Sequence, residues 1–190
     1  MLAKILLSPY GSFWNLKNKC ESSSGFMRKI HVGVYRSYLY ENSADISIDS
    51  IFKSEPCLPH DIRGVFISGG AKIGKNAIIF QQVTIGSVTL PDSKGAGAPT
   101  IGDNCYIGAG AKIVGAVKVG DNVRIGANAT VYKDVPDNTV VISGEQKNIT
   151  KNEPLVNRYY TNDDGVWSYF KDSEWIREDD DKIIKTLSNL

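Results

Sequence analysis

Histidine is scarce in this chain: His31 and His60 are the only two in 190 residues. A zinc centre that takes three histidine ligands per site has too few to draw on, and no resident metal is expected. Cysteine is scarce as well. Cys20, Cys57 and Cys105 show neither paired spacing nor the density of a secreted disulfide scaffold, so a reducing cytoplasm is the expected setting. A surplus of one charge is missing, because 22 basic and 21 acidic residues leave +1, and nucleic acid is not expected as a partner. No apolar run is long enough to span a bilayer. The apolar start, residues 1–7, meets Pro9 with no small-residue cleavage pattern, which argues against a signal peptide. It reads as packing against the domain, with peripheral docking at the inner membrane face as the alternative. No glycine triplet forms a G-x-G-x-x-G turn between strand and helix, so dinucleotide binding is not expected.

What the chain does have is a period of six. Ile67, Ile73, Ile79 and Ile85 are followed, after an interruption, by Ile101, Ile107, Ile113, Val119, Ile125 and Val131. A small or branched residue precedes each following aliphatic by two: Ala71, Ala77, Val83, Cys105, Ala111, Val117, Val123, Ala129 and Val135. This spacing fits neither an α-helix nor a simple strand and predicts a parallel β-helix, each unit of six giving two inward residues. Cys105 takes a small-residue slot, where a thiol acts as a small hydrophobe.

Three regions follow. Residues 1–44 mix aromatics with basic groups around a polar Glu21-Ser22-Ser23-Ser24-Gly25 run and predict a helical cap over the open end of the β-helix. Residues 45–145 form the β-helix domain. Its register breaks once, and residues 87–100 are expected as an extruded loop, the kind of insertion that solenoids place on a binding face. Residues 146–190 form an acidic, aromatic extension with a helix expected from about Asp179. Its aromatic set reads as a packing surface, with a sugar-stacking platform as the sharper alternative.

The segment Leu58-Pro59-His60-Asp61-Ile62-Arg63-Gly64-Val65-Phe66-Ile67-Ser68, together with Ala71-Lys72-Ile73-Gly74, Gln81-Gln82-Val83-Thr84-Ile85-Gly86 and Ile107-Gly108-Ala109-Gly110-Ala111-Lys112-Ile113, resembles the serine acetyltransferase branch of the hexapeptide-repeat acyltransferases. The resemblance runs from Asp45 to about Asn138. It implies a left-handed β-helix of triangular section, a homotrimer with active sites between subunits, and acetyl-CoA as co-substrate. Handedness comes from the resemblance alone, since general crossover rules favour the opposite hand.

The resemblance also implies roles. His60 matches the general base, and imidazole has the basicity to take an alcohol proton near neutral pH. Asp45, fifteen positions earlier, matches the aspartate that orients such a base. Ala109 and Ala127 lie eighteen residues apart and are expected to stack along a track for the pantetheine arm. Lys112, Arg124 and Lys133 are candidates for the CoA phosphates. Gly86 and Ser87, at the mouth of the loop, are candidates for the oxyanion donors. One departure bears on the acceptor: where serine acetyltransferases carry an Arg-His pair before the proline that closes the loop, this chain has Gly97-Ala98 before Pro99. A substrate carboxylate there would lose charge-assisted partners. The expected activity is therefore O-acetylation of a sugar hydroxyl on a small molecule or oligosaccharide in polysaccharide biosynthesis. Serine is the alternative acceptor, and a non-catalytic trimeric scaffold is the alternative of another class.

Overall fold

Two residues in every six face inward, and the backbone turns a corner between units. The computed structural model, which describes residues 2–90, 92–144 and 148–188, folds this repeat into a three-sided parallel β-helix. Face A stacks Asp45–Ile46, Phe66–Ile67, Thr84–Gly86, Lys112–Val114 and Thr130–Val131. Face B stacks Ile51–Phe52, Lys72–Ile73, Thr100–Ile101 and Lys118–Val119. Face C stacks Ile78–Ile79, Tyr106–Ile107, Arg124–Ile125 and Thr139–Val141. The strands are two or three residues long because the prism is narrow. The aliphatics of the period and the small residues between them fill the interior, each 6% exposed or less.

Register shows where the repeat is regular. Ile67 pairs with Ile85, Ile107 with Ile125 and Ile113 with Val131, each eighteen residues on. Across the loop the step widens to twenty-eight, as Ile73 pairs with Ile101 and Ile79 with Ile107. The first coil is also irregular: Asp45 pairs with Phe66, Ile51 with Lys72 and Cys57 with Ile78, a step of twenty-one. Three extra residues therefore fall between Cys57 and Phe66, the stretch that holds His60.

The corner between faces B and C is built from a polar ladder. Asn76, Asn104, Asn122 and Asn138 all adopt left-handed backbone, φ 54 to 58°, which asparagine tolerates better than most residues. Each amide donates to the next asparagine's Oδ1 at 3.1–3.2 Å. Beside them, the carboxylates of Asp103, Asp121 and Asp137 accept from the backbone N–H of Lys75, Asp103 and Asp121 at 2.7–2.9 Å. The Lys75 N–H and the Lys53 ammonium hold the Asp103 carboxyl below the usual carboxylate range.

Helices cover the first end of the solenoid, and a reversed strand caps face C at the other. Helix α1 (Leu2–Leu7), α2 (Phe13–Ser22) and α3 (Gly25–Glu41) close the first. Lys17 of α2 is buried, pairs with Glu21, and donates to the carbonyls of Ile48 and Ser50 at 2.8 Å each, satisfying acceptors at the open end. Phe13 stacks on Tyr35, whose hydroxyl donates to the Ile46 carbonyl at 2.8 Å. At the other end, Asn148–Thr150 pairs antiparallel with Thr139–Val141. The extension then forms an antiparallel sheet, Tyr160–Asp163, Val166–Lys171 and Glu174–Arg177, followed by α4 (Asp181–Leu187). These three strands are absent from the sequence expectation.

The loop, closed at its neck by paired hydrogen bonds between Val88 and Gly97, does not point away from the body. It folds back along the edge between faces A and B, where Ala116 N–H donates to the Gly95 carbonyl at 2.9 Å.

Candidate active site

His60 sits in the three-residue excess of the first coil. Asp61 takes left-handed backbone, φ 59°, and its carboxylate accepts from its neighbour Ile62 N–H at 2.8 Å and from the Tyr38 hydroxyl of α3 at 3.0 Å. Burial, reinforced by the Asp61 charge, pushes Tyr38 up to about 12. Gly64 closes the turn at φ 65°, where an added Cβ would lie 3.1 Å from Gln82 Cγ. The cap helix and this turn thus fix the backbone on which the imidazole is carried. His60 itself is exposed, lies 5.9 Å from the Phe80 ring centroid, and makes no hydrogen bond among the described residues. It lines a cavity of about 690 Å³ with Glu41, Asn42, Ser43, Arg63, Gly64, Gln81 and Gln82.

Two groups sharpen this cavity. Gln81 Oε1 is buried without a hydrogen-bond partner, an arrangement that costs stability unless a donor arrives. Lys112, on face A, turns its ammonium to this corner, donating to the carbonyls of Gln82 at 3.0 Å and Gly110 at 2.8 Å. Neutral carbonyls leave its charge uncompensated. Gln81 was not among the expected site residues, because a glutamine in a Gln-Gln corner looks like any solvated turn.

Asp45 makes no hydrogen bond or ion pair with His60 among the described residues. Asp45 lines a second cleft with Arg28 and Arg36 of α3, Ser47, Asp49, Ser68 and Gly69. The oxyanion candidates border that second cleft rather than the His60 cavity. Ser87 Oγ donates to Ser68 Oγ at 2.7 Å and to the Gly69 carbonyl at 3.3 Å, while the Gly86 carbonyl accepts from Gly115 N–H at 2.9 Å. His60 and Gln81 stand at the corner with face C, Asp45 and Lys112 share the first column of face A beside that corner, and Gly86 and Ser87 stand towards face B.

The expected donor track is partly assembled. Ala109 and Ala127 stack one coil apart, with Asn128 N–H donating to the Ala109 carbonyl at 2.8 Å and Ser143 Oγ to that of Ala127 at 3.2 Å. The three basic candidates do not converge in one chain. Arg124, on face C, is taken up by the extension, donating to Asn157 Oδ1 at 3.1 Å and the Val156 carbonyl at 3.2 Å. Asn157 in turn donates to the carbonyls of Asn104 and Val123. The extension thus satisfies part of the hydrogen-bonding fork of Arg124, the candidate phosphate ligand. Lys133 stands over the Tyr132 ring at 5.3 Å and lines a cleft with Ser93 and Lys94 of the loop.

The buried thiols take no part in this chemistry. Burial pushes Cys57 and Cys105 up to about 12, which leaves them protonated at neutral pH. Among the described residues no group of three or more His, Cys, Asp or Glu could hold a metal ion, and no helix is long and apolar enough to cross a membrane.

Comparison with known proteins bears on both fold and repeat. The bacterial transferase hexapeptide family (six repeats) matches residues 98–133. The serine acetyltransferase of Bacillus pumilus is 38% identical over 95 residues, covering 50% of this chain and 43% of that protein. The serine acetyltransferase of Helicobacter pylori is 42% identical over 88 residues, covering 46% of this chain and 50% of its own length. Soybean serine acetyltransferase complexed with serine superposes with a TM-score of 0.59 at 28% identity, over 72% of this chain and 54% of that one. The chain thus spans about half the length of the curated relatives it matches. Sugar acetylation has no counterpart among these relatives, which all bear the name serine acetyltransferase. The fold is a left-handed parallel β-helix, of which residues 98–133 match the bacterial transferase hexapeptide model.

Proposed function

We propose that this protein is an acetyl-CoA-dependent O-acetyltransferase in which His60 acts as general base. The acceptor hydroxyl gives its proton to His60 as its oxygen attacks the thioester carbonyl. The tetrahedral intermediate then expels the thiolate, which is protonated to free CoA. Backbone N–H groups near Gly86 and Ser87 stabilise the oxyanion. The Ala109–Ala127 stack passes the pantetheine arm, and Lys112 meets CoA phosphate.

The observation that carries this reading is a set of polar side-chain groups without hydrogen-bond partners among the described residues: the His60 imidazole and Gln81 Oε1 at the corner of faces C and A, and the Asp45 carboxylate in the adjoining column of face A. In a cyclic homotrimer the contact is heterologous, so the edge of each copy that carries His60 meets the edge of the next that carries Gly86 and Ser87, and three complete sites form. Asp45 orients His60. Serine is the acceptor that the relatives' names support. A sugar hydroxyl is the second reading, favoured by one observation, the uncharged Gly97-Ala98 at the end of the loop.

Two experiments test this. Thiol release from acetyl-CoA is followed with serine, neutral sugars and acidic sugars as acceptors; no release with any of them, and no acetyl-CoA binding by calorimetry, sinks the transferase reading in favour of a scaffold. Equal amounts of inactive His60→Ala and Asp45→Ala chains are then unfolded and refolded together. Random trimers restore about a quarter of the sites if the two residues act across the interface, and none if both act within one chain.

A further inference from the structure

The cleft that holds Asp45 carries more charge than orienting a base requires. Arg28 and Arg36 stand eight residues apart on α3 with Val32 between them, and all three line the cleft. Asp45 and Asp49 face them from the first coil, with Ser47 and Ser68 beside. Among the described residues, none of these four charged side chains forms an ion pair. Opposite charges that share a cleft yet remain unpaired are placed for a ligand bearing both signs. Guanidinium groups are the side chains best suited to a carboxylate, which they meet with two parallel N–H donors.

We infer that Arg28 and Arg36 bind the carboxylate of the acceptor, and that the substrate class is therefore a hydroxy compound bearing a carboxylate, not a neutral sugar. This rests on the transferase reading above and adds a specificity determinant to it. The position of the loop supports the assignment. An added Cβ on Gly70 would lie 3.5 Å from Ala98 Cβ, so the loop's Gly97-Ala98 end stands next to Gly69, which lines the same cleft. Short side chains there leave the space open to the arginines that approach from the helix. The cationic contribution that the loop lacks comes from α3. Asp49, whose own N–H donates to Ser47 Oγ at 3.2 Å, is held where an ammonium group on the same acceptor would meet it.

A carboxylate could belong to an amino acid or to an acidic sugar, and the test separates them. Binding of serine, serinamide, glucuronate and glucose is measured by calorimetry without acetyl-CoA, alongside thiol release with each. The clamp predicts that serine exceeds serinamide, or that glucuronate exceeds glucose, by at least about tenfold in KM or Kd, the pair with the larger ratio naming the source. Arg28→Gln and Arg36→Gln each raise the acceptor KM about ten- to hundredfold. The KM for acetyl-CoA stays put, and the lysine variants recover part of the loss. Both arginines are exposed, so circular dichroism should match the parent. Equal use of carboxylate and neutral acceptors, or an unchanged acceptor KM in the double variant, overturns the inference. Carboxylate binding that is lost in the variants, with no acetyl transfer to any acceptor, would instead uphold the clamp and overturn the transferase reading.

Discussion

The two corners that flank face C follow opposite rules. At the corner with face B, four asparagines and three aspartates satisfy one another and the backbone from coil to coil. At the corner with face A, the first coil has three residues too many, and among the described residues the His60 ring and Gln81 Oε1 are left without hydrogen-bond partners. The ladder stabilises, and a corner so fully bonded has nothing to offer a ligand. The irregular corner gives up stability to leave polar atoms available, which is where function is expected when local rules are broken.

Replacing His60 should show this asymmetry most strongly. His60→Ala is expected to lower kcat by about 10²- to 10⁴-fold with the unfolding midpoint unchanged, since the ring is exposed and unbonded. Steady-state thiol release beside a urea titration checks both halves. Alkali should attack the interior shared by both corners. Cys57, Cys105 and Tyr38 are each raised to about 12 in the folded chain, from 9.0 for the thiols and 10.0 for the phenol. Their protonated forms are favoured by folding, so this contribution is whole below pH 9 and is lost as pH climbs towards 12. Urea midpoints measured from pH 8 to 11.5 should fall steadily; a flat profile would contradict the burial of these groups.

A cut in the ladder is a smaller perturbation. Asn122→Ala removes two amide links and leaves at φ 56° a residue that tolerates left-handed backbone less well than asparagine, for an expected loss of about 1–3 kcal/mol. Asn122→Gly keeps the backbone unstrained and should lose less, so the difference between the variants isolates strain from hydrogen bonding. Gln81→Leu should act in the opposite sense. Removing an unpaired buried oxygen leaves stability equal or slightly raised, while the KM for acetyl-CoA or the acceptor increases; an unchanged KM for both would show that Gln81 meets neither.

How far the sequence reaches can be judged from these same residues. The solenoid is legible because its core needs one aliphatic and one small residue in every six, and each inward position follows from that count. His60 is legible through its motif and through its place where the count fails. The sequence also contains the ladder, as Gly102-Asp103-Asn104, Gly120-Asp121-Asn122 and Pro136-Asp137-Asn138, a signal as regular as the aliphatic one. The cleft between α3 and the first coil is different. Arg28 and Arg36 lie between nine and twenty-one residues from the aspartates they face, and only the docking of the cap decides which side of α3 meets Asp45. The extension is hidden for a similar reason. Among the described residues the strands of its three-stranded sheet pair only with one another, and the capture of Arg124 by Asn157 depends on where that sheet comes to rest.

The reversed strand Asn148–Thr150 bears on a hazard common to every solenoid. A parallel β-helix ends in a row of free backbone donors and acceptors, and a second copy can add to that row as readily as the chain's own next coil. Running antiparallel against Thr139–Val141, this strand occupies the last rung of face C in a direction that no further coil can continue. With α2 and α3 over the other end, face C presents no rung that a further parallel coil could extend, and end-to-end growth on that face is blocked.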